Sequence, residues 1–314
     1  MAATAKSREV IEVDGHDIEL TNAAKVLFPQ AGLTKGDLLG YYRRIAPVML
    51  PHLAGRPLSF ERFPDGIDTK GFMQKNAGAY FPSWIRRARV AKEDGEVEHV
   101  LAGNAATLAY LANQACLTLH VGLARTDRID HPDRLVIDLD PSDDDFVKVK
   151  RAARAARRLL EQCGLVPFLQ TTGSRGLHVW VPLERSAPFE EVRAFAAALA
   201  ERMVAQCPHE RTTEQRKVQR GTRVFLDVAR NAYAQTAVAP YSVRARPEAP
   251  VATPLDWGEL DDPALGPRRY TIANLFRRLG QKRDPWAEIE RQARPLAAAQ
   301  QRLAALIEVE PAAS

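Results

Sequence analysis

Three features of the 314-residue sequence predict an α/β (α+β) protein in which mixed sheets are packed by helices. First, residues 134–141 alternate strictly, with Leu135, Ile137 and Leu139 on one strand face and Val136, Asp138 and Asp140 on the other. Second, residues 146–163 and 188–205 repeat apolar side chains at helical spacing, through Val149, Ala153 and Leu160 and through Val192, Phe195 and Leu199. Third, Asp14-Gly15 and Asp94-Gly95 each separate two short alternating runs, as in a hairpin with a primed turn. No internal repeat and no long linker interrupts the chain. Residues 1–300 are therefore expected to form a single domain, followed by a frayed tail over 301–314.

The remaining elements follow in order. Thr34 and Asp37 hold capping-box spacing ahead of a helix whose buried stripe is Leu38, Leu39, Tyr42 and Ile45. Residues 57–63 read as a strand and lead into a loop rich in Gly and Lys. Asn104 caps a helix expected to run to about Leu117, with His120 where the chain turns toward the Asp138 strand. Strands are expected over 166–171, 177–183 and 223–228, and Thr271 caps a helix ending at Gly280. Residues 296–307 supply a last helical pattern.

A hydrophobic content of 46% with 26% charged residues is that of a globular protein, and excludes a disordered chain. The apolar runs are too short to span a membrane, and residues 1–6 lack the apolar core of a signal peptide, so the cytoplasm is the expected location. Cys116, Cys163 and Cys207 are widely spaced in apolar patterns read as helical, which predicts buried free thiols and no structural zinc. The net charge of +5 is modest, but acids gather at 138–145 while basic residues recur at 86–89, 216–223 and 244–246. An acidic centre in a basic chain suits a metal site that handles phosphates.

Two carboxylates on one strand face, Asp138 and Asp140, repel unless a positive charge lies between them. Mg²⁺ or Mn²⁺, which favour hard oxygen ligands, answers that need; the plain alternative is a solvated strand end. Downstream, Gly173-Ser174-Arg175-Gly176 is a tight loop that delivers His178 on a strand, between core-facing Leu177 and Val179. Backbone N–H groups with Ser174 and Arg175 make such a loop a cradle for a triphosphate, or else an ordinary turn. Asp227 ends its strand facing out of the core, either completing a ligand set or capping the next loop. Asp143 and Asp145 repeat the spacing but are assigned to the start of the 146–163 helix.

Four longer motifs carry a resemblance. They are Asp133-Arg-Leu-Val-Ile-Asp-Leu-Asp-Pro141, Thr171-Thr-Gly-Ser-Arg-Gly-Leu-His-Val179, Phe225-Leu-Asp-Val-Ala-Arg-Asn231 and the 235–246 segment from Gln235 to Arg246. From about Leu20 to Leu260 the chain resembles the polymerase module of bacterial non-homologous end-joining ligase D, of the archaeo-eukaryotic primase superfamily. The resemblance implies a primase-polymerase fold whose catalytic half, roughly 121–300, holds a sheet like that of an RNA-recognition motif. Residues 1–120 would contact DNA. It implies template-dependent extension of primers and filling of short gaps at DNA ends, with NTP or dNTP as substrate and a preference for ribonucleotides. Asp138, Asp140 and Asp227 would be the catalytic carboxylates, binding two divalent ions, Mn²⁺ or Mg²⁺.

By the same resemblance, His120, Thr172, Arg175, His178, Arg230, Gln235 and Arg244 fall at nucleotide-site positions, with Ser174 in the same loop. Lys25 and Lys35 would bind a DNA 5′-phosphate, although their bare sequence context is a solvated helix surface. Phe72 would stack near the template. Thr172, Arg175 and Met73 stand where the family commonly has Ser, Lys and Phe, and 232–234 replaces a segment that often carries Gly or a basic residue. No ligase lysine motif and no phosphoesterase module is found, so Ku and an ATP-dependent DNA ligase are expected as separate partners. The alternatives are a primase that starts chains de novo and a non-catalytic module binding 5′-phosphorylated DNA ends.

Overall fold

The computed structural model describes residues 8–92 and 94–309; residues 1–6 and the end of the expected tail lie outside them. The chain opens with a hairpin, β1 (Arg8–Val13) and β2 (His16–Thr21), closed by Asp14 and Gly15 at φ of 48° and 73°. Both left-handed values belong to the expected primed turn. A small pair, β3 (Val26–Phe28) and β4 (Leu33–Thr34), leads into α1 (Lys35–Leu53), where Thr34 and Asp37 complete the capping box.

The first large sheet follows from β5 (Leu58–Arg62), β6 (Phe72–Gln74), β7 (Arg87–Lys92) and β8 (Gly95–Val100). After α2 (Ala105–Asn113) comes β9 (Cys116–Gly122). The helix ends earlier than its apolar pattern predicts, because Ala115 takes φ of 55° and turns the chain out. Cys116 and His120 therefore lie on a strand, not in a helix and a turn.

The second large sheet and its helices are β10 (Arg134–Asp140), α3 (Phe146–Gln162), β11 (Phe168–Thr171), β12 (Leu177–Pro182), α4 (Phe189–Gln206), β13 (Arg211–Thr212), α5 (Lys217–Arg220) and β14 (Val224–Asp227). β15 (Thr236–Val238) returns to the first sheet beside β9, and β16 (Pro254–Leu255) closes the second sheet beside β11. The last helices are α6 (Leu275–Gln281), which begins after Asn274 and not at Thr271, and α7 (Leu296–Val309). Leu296, Ala299 and Leu303 are buried on α7, so the tail expected from residue 301 is helical as far as Val309. Among the described residues no helix is long and apolar enough to cross a membrane.

The order β14-β10-β12-β11, antiparallel throughout, joined as β10-α3-β11-β12-α4-β14, is the split βαβ arrangement of an RNA-recognition-motif sheet. Its two faces have different partners. Leu135, Ile137 and Leu139 pack with Val149 and Leu160 of α3 and Val192 and Leu199 of α4. Val136 and Trp180, on the other face, join the core of the first sheet with Phe60 and Leu119. The apolar packing on that face stops at Val136, and the next two outward residues are Asp138 and Asp140. Of the cysteines, Cys116 and Cys163 are buried, whereas Cys207 at the end of α4 is partly exposed, contrary to the expectation for it.

Two polar devices fix β10. Before it, the buried Arg56 guanidinium grips both oxygens of Asp133 at 2.6 Å, and Arg125 adds a bond of 2.9 Å. Beside it, β14 ends at Asp227, and the fully buried Asn231 amide takes over the pairing. Its Oδ1 accepts from Val136 N–H at 2.9 Å, and its Nδ2 donates to the carbonyls of Val136 at 2.6 Å and Val228 at 2.9 Å. Asn231→Ala leaves both backbone groups of Val136 buried and unpaired, and should lower unfolding free energy by about 2–4 kcal/mol in urea denaturation. Asn231→Asp keeps the acceptor but sets a buried carboxylate oxygen against the carbonyls of Val136 and Val228, and should lose at least as much at pH 7.

Candidate active site

The sheet register builds the site. Gln170 pairs with His178, His178 with Asp138, and Asp138 with Asp227, giving one polar row across four strands. Residues directly opposite in an antiparallel pair point to the same face, and so do residues two apart on one strand. Asp138, Asp140 and Asp227 therefore share the face that looks toward the first sheet. The Asp138 Oδ1 lies 3.3 Å from His178 Nε2 and makes no hydrogen bond among the described residues. One oxygen of Asp227 accepts from Ala229 N–H at 2.8 Å, so it also caps its own turn.

The electrostatics of the two β10 acids diverge. Burial opposes ionisation of Asp138, but His178, Arg230 and Arg244 outweigh it and hold its carboxyl below the usual range. Asp140 is pushed up to about 6, first by burial and then by the neighbouring Asp138 charge. The three carboxylates are hard oxygen donors suited to Mg²⁺ or Mn²⁺, and the Asp138 oxygen facing His178 is not engaged in a hydrogen bond to a described residue. Among the described residues no group of three or more His, Cys, Asp or Glu is gathered into a ligand cluster. What the three share is a face, not a closed ligand shell.

The loop between β11 and β12 is set by two glycines. A Cβ on Gly176 would lie 2.0 Å from the Leu139 carbonyl oxygen, and Gly173 takes φ of 65° with its Cβ position 2.7 Å from Arg244 Cγ. The Thr172 hydroxyl is spent inside the loop, donating to Gly176 O at 3.1 Å and facing the N–H groups of Ser174 and Gly176 at 3.2 Å. It shapes the cradle instead of lining it. Arg175 donates to the Pro141 carbonyl at the end of β10, and Arg246 reaches Ser174 Oγ at 3.2 Å.

The first sheet supplies the opposite wall. His120 Nε2 lies 3.6 Å from Glu61 Oε1; burial pushes the imidazole's pKa down, while Glu61 pulls it back up. Glu61 was not legible as a site residue. Only the pairing of β5 with β9 puts it beside His120, where His120 and then Arg244 help to hold its carboxyl down at about 2. A groove of about 330 Å³ runs from Glu61 and Arg244 to Phe72 and Met73, which are 48% and 46% exposed. Arg230 and Gln235 are exposed on the segment after β14; the Arg230 charge reaches Asp138 and His120, whereas Gln235 lines a small cavity with Gly122 and Phe189.

Lys25 and Lys35 are brought together, with Lys35 N–H bonded to the Lys25 carbonyl at 2.8 Å. Lys35 is not on a solvated surface. It is 6% exposed, and its Nζ donates to Thr21 Oγ1 at 3.0 Å and to the Asn113 carbonyl at 3.2 Å. Burial, then the Lys25 charge, lowers its pKa to about 8. Lys25 itself pairs with Asp65 at 2.6 Å.

The raised pKa of Asp140 means that the folded chain holds that proton more tightly than the unfolded chain does. Ionisation of Asp140 therefore weakens the metal-free fold. The penalty is absent below pH about 4 and complete above pH about 6. Asp140→Asn should raise metal-free stability by about 1–3 kcal/mol at pH 7 and leave it unchanged at pH 4, as read by thermal and chemical denaturation.

Comparison with known proteins places these features. Residues 34–286 match the family described as LigD, primase-polymerase domain. The chain is 39% identical over 264 residues to the multifunctional non-homologous end joining protein LigD of Mycobacterium bovis, covering 81% of this chain and 34% of that protein. It is 32% identical over 285 residues to the bifunctional LigD of Bacillus subtilis, covering 90% and 46% respectively. The chain thus spans between a third and a half of the length of these curated relatives. The solved polymerase domain of Mycobacterium tuberculosis Ligase D in complex with DNA is 36% identical, superposes with a TM-score of 0.83, and is matched over 88% of this chain and 99% of that one. The chain belongs to the LigD primase-polymerase domain family.

Proposed function

We propose that this chain is a template-dependent nucleotidyltransferase that extends primers and fills short gaps at DNA ends during double-strand-break repair in the cytoplasm. The observation that carries the reading is the register of Asp138 against Asp227 with Asp140 on the same face, beside a glycine loop and in the field of Arg230 and Arg244. The family and the likeness to a polymerase domain solved with DNA support it. Ku and a DNA ligase are the proposed partners.

Asp138, Asp140 and Asp227 would hold two divalent cations, Mn²⁺ or Mg²⁺, which when bound activate a primer 3′-hydroxyl and neutralise charge on departing pyrophosphate. The chain's own groups do the rest. Arg175 and Arg244 neutralise the triphosphate of an NTP or dNTP, and the N–H groups of the 173–176 loop, with Ser174, cradle it. Thr172 keeps that loop in shape. His178 and Arg230 hold Asp138 ionised, so that it can ligate at neutral pH. His120 and Gln235 line the nucleotide's surroundings, and Phe72 gives the template a stacking surface. Its position in the groove next to Arg244 suits that role. Ribonucleotide preference is proposed on the family likeness alone.

Primer extension on gapped duplexes, comparing ribo- with deoxynucleotides and Mg²⁺ with Mn²⁺, tests the reading. Asp138→Ala should reduce extension by roughly a thousandfold, about 4 kcal/mol of barrier, with an unchanged melting profile for the fold. Product made on unprimed single strands would instead select de novo priming, and binding without incorporation by the wild type would select an end-binding module.

Lys25 and Lys35 would grip the 5′-phosphate across the gap. Lys35 loses its charge as pH rises through about 8, so stimulation by a 5′-phosphate should decline between pH 7 and 9. Lys35→Arg, which stays charged, should flatten that decline. Extension rates on phosphorylated and unphosphorylated gaps across this range provide the check.

A further inference from the structure

Two large polar cavities lie outside the proposed site, one of about 610 Å³ lined by Thr212, Arg216 and Arg223 and one beside α6. The second encloses about 580 Å³, and Arg269, Arg277, Arg278 and Lys282 line it with Glu259 and Asp262. Its charges are unevenly spent. Glu259 is saturated, receiving Arg278 Nη2 at 2.6 Å, Arg278 Nε at 3.1 Å and Tyr270 OH at 2.8 Å. Lys282 stands 3.6 Å from Asp256. The exposed guanidinium groups of Arg269 and Arg277 meet no described residue by hydrogen bond or ion pair. Arg278 is 7% exposed, and its Nη1 is buried without a hydrogen-bond partner among the described residues. That atom has no open surface and Arg278 is committed to Glu259, so the anion-binding feature is the pair of exposed, unengaged guanidinium groups of Arg269 and Arg277 on the rim.

The position of the cavity identifies which anion. Arg268, one residue before the rim at Arg269, donates to the Ser174 carbonyl at 2.9 Å. The Tyr270 carbonyl accepts from Val251 N–H at 2.8 Å, and the Val251–Ala252 backbone lies 3.1 Å from the Cβ position of Gly173. The cavity and the 173–176 loop thus share a wall, and Arg246, Arg268, Arg269 and Arg277 continue the basic surface from one to the other. Tyr270 offers no stacking platform, since Arg278 lies over its ring at 5.0 Å and its hydroxyl is bound to Glu259.

We infer that this cavity binds the phosphates of a single-stranded nucleic-acid segment passing the glycine loop, by charge and without reading bases. The inference rests on the nucleic-acid role proposed above and adds a second contact region to it. A free phosphate or pyrophosphate offers the same chemistry from another source.

The test is fluorescence anisotropy of a short labelled oligothymidylate with the full chain, over a range of salt. Wild type is compared with the Arg269→Ala/Arg277→Ala double variant, each with and without Asp138→Ala. The double variant should bind more weakly, and its slope of log affinity against log salt should be shallower by about 1.4, from roughly 0.7 per phosphate contact on a single strand. That change should be the same in the Asp138→Ala background. A failure of the catalytic reading, seen as extension by Asp138→Ala, is then separable from a failure of this one. An unchanged slope in the double variant overturns the inference. In a calorimetric arm with inorganic pyrophosphate alone, binding by wild type that the double variant loses would assign the cavity to a free anion and also overturn it.

Discussion

Everything in the proposed site depends on the pairing of β10 with its two neighbours. Because side chains alternate across a strand, a single register places His178 and Asp227 on either side of Asp138 and sends Leu135, Ile137 and Leu139 to the opposite face. A slip of one residue would turn the acids into the helix-packed core and the leucines into the cleft. The cost of burying carboxylates and exposing leucines makes the register self-enforcing. Arg56 with Asp133 anchors the start of the strand, and Asn231 extends its pairing where β14 has stopped.

The same cleft balances charge against burial. Asp138 stays ionised because His178, Arg230 and Arg244 offset its desolvation, whereas Asp140 lacks enough of that support and is held near 6. The carboxylates are thus kept close by the backbone against their mutual repulsion. That is strain which the fold must sustain, and it is the reason an acidic pair on one strand reads as functional once its surroundings are basic. A nearby half-buried pair, Glu61 and His120, adds a further acid to the opposite wall, so the cleft has acids on both sheets and arginines between them.

Much of this was legible in the residues. Alternation marked β10, the Thr34–Asp37 box marked α1, Asp14-Gly15 marked the first turn, and the ordered motifs pointed to the right family. The failures share a cause. Ala115 ends α2 with a left-handed backbone that usually calls for glycine, so no residue signalled the stop, and Cys116 and His120 were read out of their strand. Glu61, Asn231 and the burial of Lys35 depend on which strands and loops meet across the chain, and local pattern carries no such information. The helical pattern over 296–307 does mark the last helix, but the packing of Leu296, Ala299 and Leu303 that holds it in place beyond residue 301 is tertiary, so the frayed tail expected from 301 is not found before Val309.

The central claim is that Asp138, Asp140 and Asp227 act together as a divalent-cation site. Calorimetric titration of Mn²⁺ into the protein with a non-hydrolysable nucleotide measures this directly. The account predicts about two ions per chain for the wild type, with at least one lost in Asp138→Asn/Asp227→Asn while the fold is retained. Equal Mn²⁺ binding by the wild type and the folded double variant would contradict it.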